Sequence, residues 1–187
     1  MRSIVPLFAF AIAAAAPALA VEPVPVPPFR SIELHGGGTL NVVPAPVQRV
    51  TLIEGSTRFT RVHVERDGKL MIDACNEQCP RNYQLRVQIE SPHVLGVAVD
   101  GGGIIDIANG FAPQSELGVA VNGGGKIDAR SIQAGHVGAA VNGGGEILVR
   151  ARAALGATVN GGGEIRYWGD PAVASSIQGG GAVRKGG

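Results

Sequence analysis

Four stretches of the chain repeat one pattern of apolar and polar positions. They are Val94-Leu95-Gly96-Val97-Ala98-Val99-Asp100, Glu116-Leu117-Gly118-Val119-Ala120-Val121-Asn122, His136-Val137-Gly138-Ala139-Ala140-Val141-Asn142 and Ala154-Leu155-Gly156-Ala157-Thr158-Val159-Asn160. Each is followed by a glycine triplet and then by a second short run: Ile104-Ile105-Asp106-Ile107, Lys126-Ile127-Asp128-Ala129, Glu146-Ile147-Leu148-Val149 or Glu164-Ile165-Arg166-Tyr167. The residue two before a triplet is Val99, Val121, Val141, Val159 or Ile177; the residue two after is Ile105, Ile127, Ile147, Ile165 or Val183. Both columns are β-branched throughout, which favours strands, and alternation with period two turns both columns inward. No helical period competes over residues 94–187.

The triplets lie at Gly36–Gly38, Gly101–Gly103, Gly123–Gly125, Gly143–Gly145, Gly161–Gly163 and Gly179–Gly181, and the last five begin 22, 20, 18 and 18 residues apart. Short fixed periods mark coils stacked on their neighbours. Glycine suits a corner that turns with positive φ, and the Asn column (Asn122, Asn142, Asn160) suits one too, because Asn tolerates that conformation and stacks as a ladder. The step from Gly36 to Gly101 is 65 residues, room for roughly three coils of the same length. The pattern predicts an all-β, single-domain parallel β-helix, a solenoid with about 18–22 residues per coil and Gly-Gly-Gly corners, over residues 29–187.

The amino-terminal half fits less neatly. Ile32, Leu34, Leu40 and Val42 alternate around the first triplet, and Leu85, Val87 and Ile89 mark a further strand. Arg61 to Asp73 reads as two strands joined at the hairpin-like turn Arg66-Asp67-Gly68. Residues 21–28, with Pro-Val-Pro-Val-Pro-Pro at 23–28, predict an extended lead-in that does not pair into a sheet.

FRSIELHGGGTLNVV at residues 29–43, DGKLMID at 67–73, the repeated VNGGGEI units at 141–147 and 159–165, and YWGDPAVASSIQGGGAVRK at 167–185 resemble the head GIN domain of putative auto-transporter adhesins. The closing Tyr-x-Gly-x-Pro and Gly-Gly-Gly-x-Val-x-Lys pattern is the most specific part. The resemblance implies a β-helical, exported protein of the bacterial envelope whose molecular function is unassigned.

The chain's start agrees with export. Met1-Arg2 is basic, Ile4 to Ala16 is apolar with one break at Pro6, and Ala18-Leu19-Ala20 carries the small-x-small pattern that signal peptidase reads. Residues 1–20 are therefore expected to be a signal peptide cut after Ala20. No cysteine follows the cut, so a lipoprotein is not expected, and no second apolar stretch predicts a membrane span after cleavage. The address read is periplasmic, outer-surface or secreted.

Composition narrows the function classes. Only 17% of residues are charged and 4% aromatic, while 29 of 187 are glycine. Removing Arg2 with the leader leaves 15 Lys and Arg against 15 Asp and Glu, a net charge of zero. A neutral chain lacks the basic stripe that binds phosphate backbones, so nucleic acid is excluded as a partner. Cys75 and Cys79, three residues apart in an exported chain, predict a small structural disulfide.

The chemistry searched for is mostly absent. A Walker loop ending at Gly125-Lys126 meets Ala120 where glycine is needed and Ile127 where Ser or Thr is needed. A dinucleotide fingerprint from Gly101 meets Asp106 at its third glycine. The calcium nonapeptide pattern fails at Ile104 and Lys126. The histidines His35, His63, His93 and His136 share no motif spacing, and no zinc pattern or nucleophile elbow occurs. No cofactor, metal or catalytic residue is assigned.

Two function classes remain. The favoured one is an exported, adhesin-like binding or structural protein without catalysis, whose partner is an envelope component, a glycan or its own copy. The rival is a polysaccharide-active enzyme using stacked carboxylates, Glu146 with Glu164 or Asp106 with Asp128, since an adjacent pair can raise one pKa and supply acid–base chemistry. Against it, Lys126 aligns beside Glu146, and solvated strand faces commonly carry such ladders. The inward columns also define an outward strip of small residues: Gly118, Ala120 and Asn122; Gly138, Ala140 and Asn142; Gly156, Thr158 and Asn160. The strip either merely fits a tightly curved coil or packs on another surface, with a homo-oligomer as the expected assembly.

Overall fold

A computed structural model describes residues 21–76 and 78–187; the expected leader, residues 1–20, lies outside them. Among the described residues fifteen strands form one sheet. The amino-terminal seven are β1 (Glu22–Val24), β2 (Ser31–Gly36), β3 (Thr39–Pro44), β4 (Arg49–Glu54), β5 (Arg61–Val64), β6 (Lys69–Asp73) and β7 (Arg86–Ser91). The remaining eight are β8 (Gly96–Gly101), β9 (Ile104–Ile107), β10 (Gln114–Gly123), β11 (Lys126–Gly143), β12 (Glu146–Gly161), β13 (Glu164–Trp168), β14 (Ala172–Gln178) and β15 (Ala182–Lys185).

The sheet curls around one core as a nearly closed, barrel-like surface with two ladders. One runs β5-β6-β2-β8-β10-β11-β12-β14, and the other β1-β4-β7-β3-β9-β11-β12-β13-β15; β11 and β12 are long enough to belong to both. From β8 onward the pairing is parallel, and the repeats align as their sequences do. Val99 pairs with Val121, Val121 with Val141 and Val141 with Val159, while Ile105, Ile127, Ile147 and Ile165 form the facing column. These eight side chains are fully buried, and removing each from water is worth about 1.5–3 kcal/mol.

The expected parallel β-helix is overturned on two counts. First, the sheet is mixed: β1 pairs antiparallel with β4, β4 with β7, and β5 with β6. Second, the chain does not climb one layer per turn, because β2, the earlier strand, sits between β6 and β8. The 65 residues from Gly36 to Gly101 hold one parallel pass, β6 with β7, not three coils. The rest is spent on β4 and β5, which fold back across the amino-terminal end. Alternation alone cannot report this, since a strand alternates identically whether its neighbour runs parallel or antiparallel. The lead-in also differs from expectation. Glu22–Val24 does pair, at the edge of the sheet beside β4, where the missing N–H of Pro23 is tolerated.

The three glycines of a corner do different jobs. The first turns the chain: φ is +113° at Gly123 and +124° at Gly143, where an L side chain is strained. The third is needed for space, because a Cβ on Gly125 would sit 2.5 Å from Val99 Cγ1 of the preceding pass. The middle one, such as Gly124, has nothing within 4 Å of its would-be Cβ. Among the described residues no non-glycine has positive φ, so the Asn column is not there to turn the chain. It forms a side-chain ladder instead: Asn142 donates to Asn122 at 2.9 Å and Asn160 to Asn142 at 2.8 Å.

Candidate functional site

The outward strip lies where period two puts it. Gly118, Asn122, Gly138, Asn142, Gly156, Thr158 and Asn160 are exposed, and Ala120 and Ala140 are half-buried between their neighbours. Parallel register sets them in rows, Gly96-Gly118-Gly138-Gly156 and Ala98-Ala120-Ala140-Thr158. With so little side chain above the backbone, the rows form a shallow groove of about 620 Å³. The Asn ladder borders one side. Toward β2 the groove ends at Ser31 and Lys69.

Lys69 belongs to a charged cluster that the sequence reading missed, because its members come from strands far apart in the chain. Lys69 Nζ lies 2.9 Å from Glu33, and His35 Nε2 lies 2.7 Å from the other oxygen of the same carboxylate. Asp73 lies 3.4 Å from the far ring nitrogen of His35. Burial works against the Glu33 charge, but hydrogen bonds from Lys69 and His35 and their charges outweigh it and hold the carboxyl below its usual value.

The carboxylate pairs of the enzyme reading are brought together in register, and three of the four carboxylates are held by a cation. Glu146 pairs with Glu164 and Asp106 with Asp128 in the ladders. Lys126 sits 2.7 Å from Glu146, and Arg166 donates to Glu164 from 2.9 Å. The hydrogen bond from Arg166 lowers the Glu164 pKa. Asp128 is pushed up by burial but pulled further down by a two-pronged contact with Arg130, so it too stays below its usual value. A general acid needs the opposite shift.

Two further concavities were not legible in the sequence. Beside Asp106 and Asp128, a cleft of about 290 Å³ is lined by Asn109, Arg150 and Trp168, and the Arg130 guanidinium stacks 4.9 Å from the Trp168 ring centre. At the amino-terminal end, a pocket of about 410 Å³ lies between Gly37-Gly38, Tyr83 and the Cys75–Cys79 disulfide. That disulfide forms as expected, and its loop occupies the position where other passes have a glycine corner: Ala74 N–H donates to His35 C=O, the place held by a triplet elsewhere. Among the described residues no cluster of His, Cys, Asp and Glu is arranged to hold a metal ion, and no helix is long and apolar enough to cross a membrane.

The chain is an all-β, barrel-like sheet with a repetitive outer face, on which Glu146, Glu164 and Asp128 are each paired with a cation. Residues 95–171 match the family described as "Putative auto-transporter adhesin, head GIN domain". Among solved structures, a putative adhesin from Bacteroides fragilis is similar over 91% of this chain and 98% of its own, at 20% identity and a TM-score of 0.56. A putative adhesin from Parabacteroides distasonis covers 89% and 96% at 18% identity, with a TM-score of 0.45. A protein from the same organism described as a putative lipid binding protein covers 89% and 96% at 18% identity, with a TM-score of 0.43. The first of these shares the fold. No curated protein matches the chain.

Proposed function

We propose that this chain is a non-catalytic, adhesin-like binding protein, exported by cleavage after Ala20 to the periplasm, outer surface or medium, that presents its flat outer face to an envelope component or glycan. The observation that carries this reading is the groove itself. Its rows Gly118-Gly138-Gly156 and Ala120-Ala140-Thr158 carry small, uncharged residues on a strand face where long charged side chains such as Lys and Glu would normally stand. The Asn122-Asn142-Asn160 ladder offers amide donors and acceptors at the strand spacing along one rim. The family described for residues 95–171 supports a binding role over a catalytic one.

The test is binding of the purified protein to immobilised envelope and plant polysaccharides, with product release measured in parallel. The expected result is retention without product, lost in Ala120→Arg/Ala140→Arg at unchanged melting temperature. Release of sugar products, abolished by Glu146→Gln/Glu164→Gln, would establish the enzyme reading instead. Light scattering on the same variant covers association of this face with its own copy.

A further inference from the structure

The two ends of the stack are finished differently. At the amino-terminal end β5 crosses over β6, and β4 and β1 cross over β7, all antiparallel. The outer strands there carry Arg61 and His63 on β5 and Pro23 on β1, features that discourage further strand pairing. At the other end β14 pairs only with β12, and β15 only with β13. Among the described residues no further strand pairs with either. Val173 and Ile177 continue the inward columns of Leu155 and Val159, yet are 42% and 44% exposed while those two are buried. All seven residues of β14 are exposed.

We propose that this open edge joins two copies of the chain tail to tail, β14 pairing antiparallel with β14 of a second copy about a twofold axis. Three features of the edge select its own copy. An antiparallel pair of identical strands is self-complementary by symmetry, so the unpaired N–H and C=O groups of β14 find matching partners on the same strand of another chain. From Pro171 to Val183 there is no charged residue, so two such surfaces meet without repulsion. Beyond that span, Lys185 is already held by Asp170, and Arg184 lies 3.9 Å from Glu164. A twofold β14–β14 contact is isologous and uses the same edge of both copies, so it closes at two copies rather than running on as a fibre. Val173 and Ile177 of each copy then bury against their equivalents.

This surface is distinct from the Gly-Ala groove, and its test separates the two. Sedimentation and light scattering of the purified protein up to about 500 µM should show a concentration-dependent species of twice the monomer mass. Hydrogen exchange of residues 172–178 should slow as that species fills. Val173→Lys/Ile177→Lys should weaken association by about 100-fold or more, because like charges would face each other across the axis, while glycan retention persists. Both side chains are already exposed in the monomer, so the melting temperature of the dilute variant should stay within a few degrees of wild type. A monomer at every concentration would overturn the proposal. So would a dimer that survives the double lysine variant and dissociates in Ala120→Arg/Ala140→Arg.

Discussion

The amino-terminal and carboxy-terminal halves bury the same kind of alternating strand but organise it by opposite means. Beyond residue 94, order comes from repetition: the same β-branched columns, the same three-glycine corner and the same Asn ladder recur in register. Before it, order comes from individual side chains. Gln48 bridges the Phe29 backbone and Ser91 Oγ, at 2.6–3.1 Å. The Tyr83 hydroxyl lies 2.6 Å from Thr60 Oγ1 and accepts from Ser56 N–H at 2.9 Å. The Cys75–Cys79 disulfide replaces a corner. Repetition extends a stack cheaply in design terms but gives it no way to stop, since each pass exposes the same edge as the last. The irregular half finishes the amino-terminal end with antiparallel strands instead.

Four changes probe that contrast, beginning with the largest effect. Val141→Asp places an unpaired carboxylate in the middle of a fully buried column and should cost more than about 4 kcal/mol, enough to unfold a marginal domain. A soluble variant with a cooperative melt near the wild-type temperature would refute the inward register. Next, Gly125→Ala should cost about 3 kcal/mol, because its Cβ meets Val99 Cγ1 at 2.5 Å and the Gly103 carbonyl at 2.7 Å. Gly124→Ala, one residue away, should change stability by less than about 0.5 kcal/mol. Denaturant melts of the pair read the difference directly, and equal costs would mean that the corner needs glycine for flexibility rather than for space.

In the irregular half, Cys75→Ser/Cys79→Ser should cost about 2 kcal/mol, the chain-entropy value for so short a loop. Hydrogen exchange should show the loosening confined to residues 74–85, with the repeats unaffected. The smallest effect is that of pH. Glu33, Asp128 and Glu164 each have a folded-state pKa below the ordinary carboxylate value. Their contribution is therefore fully present above the unfolded-state value, near 4.5 for Glu, and is lost as pH falls through the lower folded-state values. Melting temperature should be flat from neutral pH to about 5 and fall below it. Glu33→Gln should flatten that fall in part, and an unchanged acid limb would remove the Glu33–Lys69–His35 cluster from the account.

What the sequence determined by itself was the inside and outside of each strand, and from residue 94 onward the neighbours as well. Period-two alternation fixes the face a side chain takes, and identical repeats leave only one register that superimposes every column, so Val121 had to meet Val99 and Val141. The exposed strip and the disulfide were legible for the same local reasons. Strand direction and layer order were not. Nothing in β2 says that it will lie between β6 and β8, and nothing in β4 or β5 says that it will run antiparallel. Those choices depend on which edges remain unpaired once the repeats have stacked, a property of the assembled sheet rather than of any segment. The Glu33–Lys69–His35 cluster and the Arg130–Trp168 contact follow from the same cause: their partners are neighbours only across passes, and only the tertiary structure sets which passes touch.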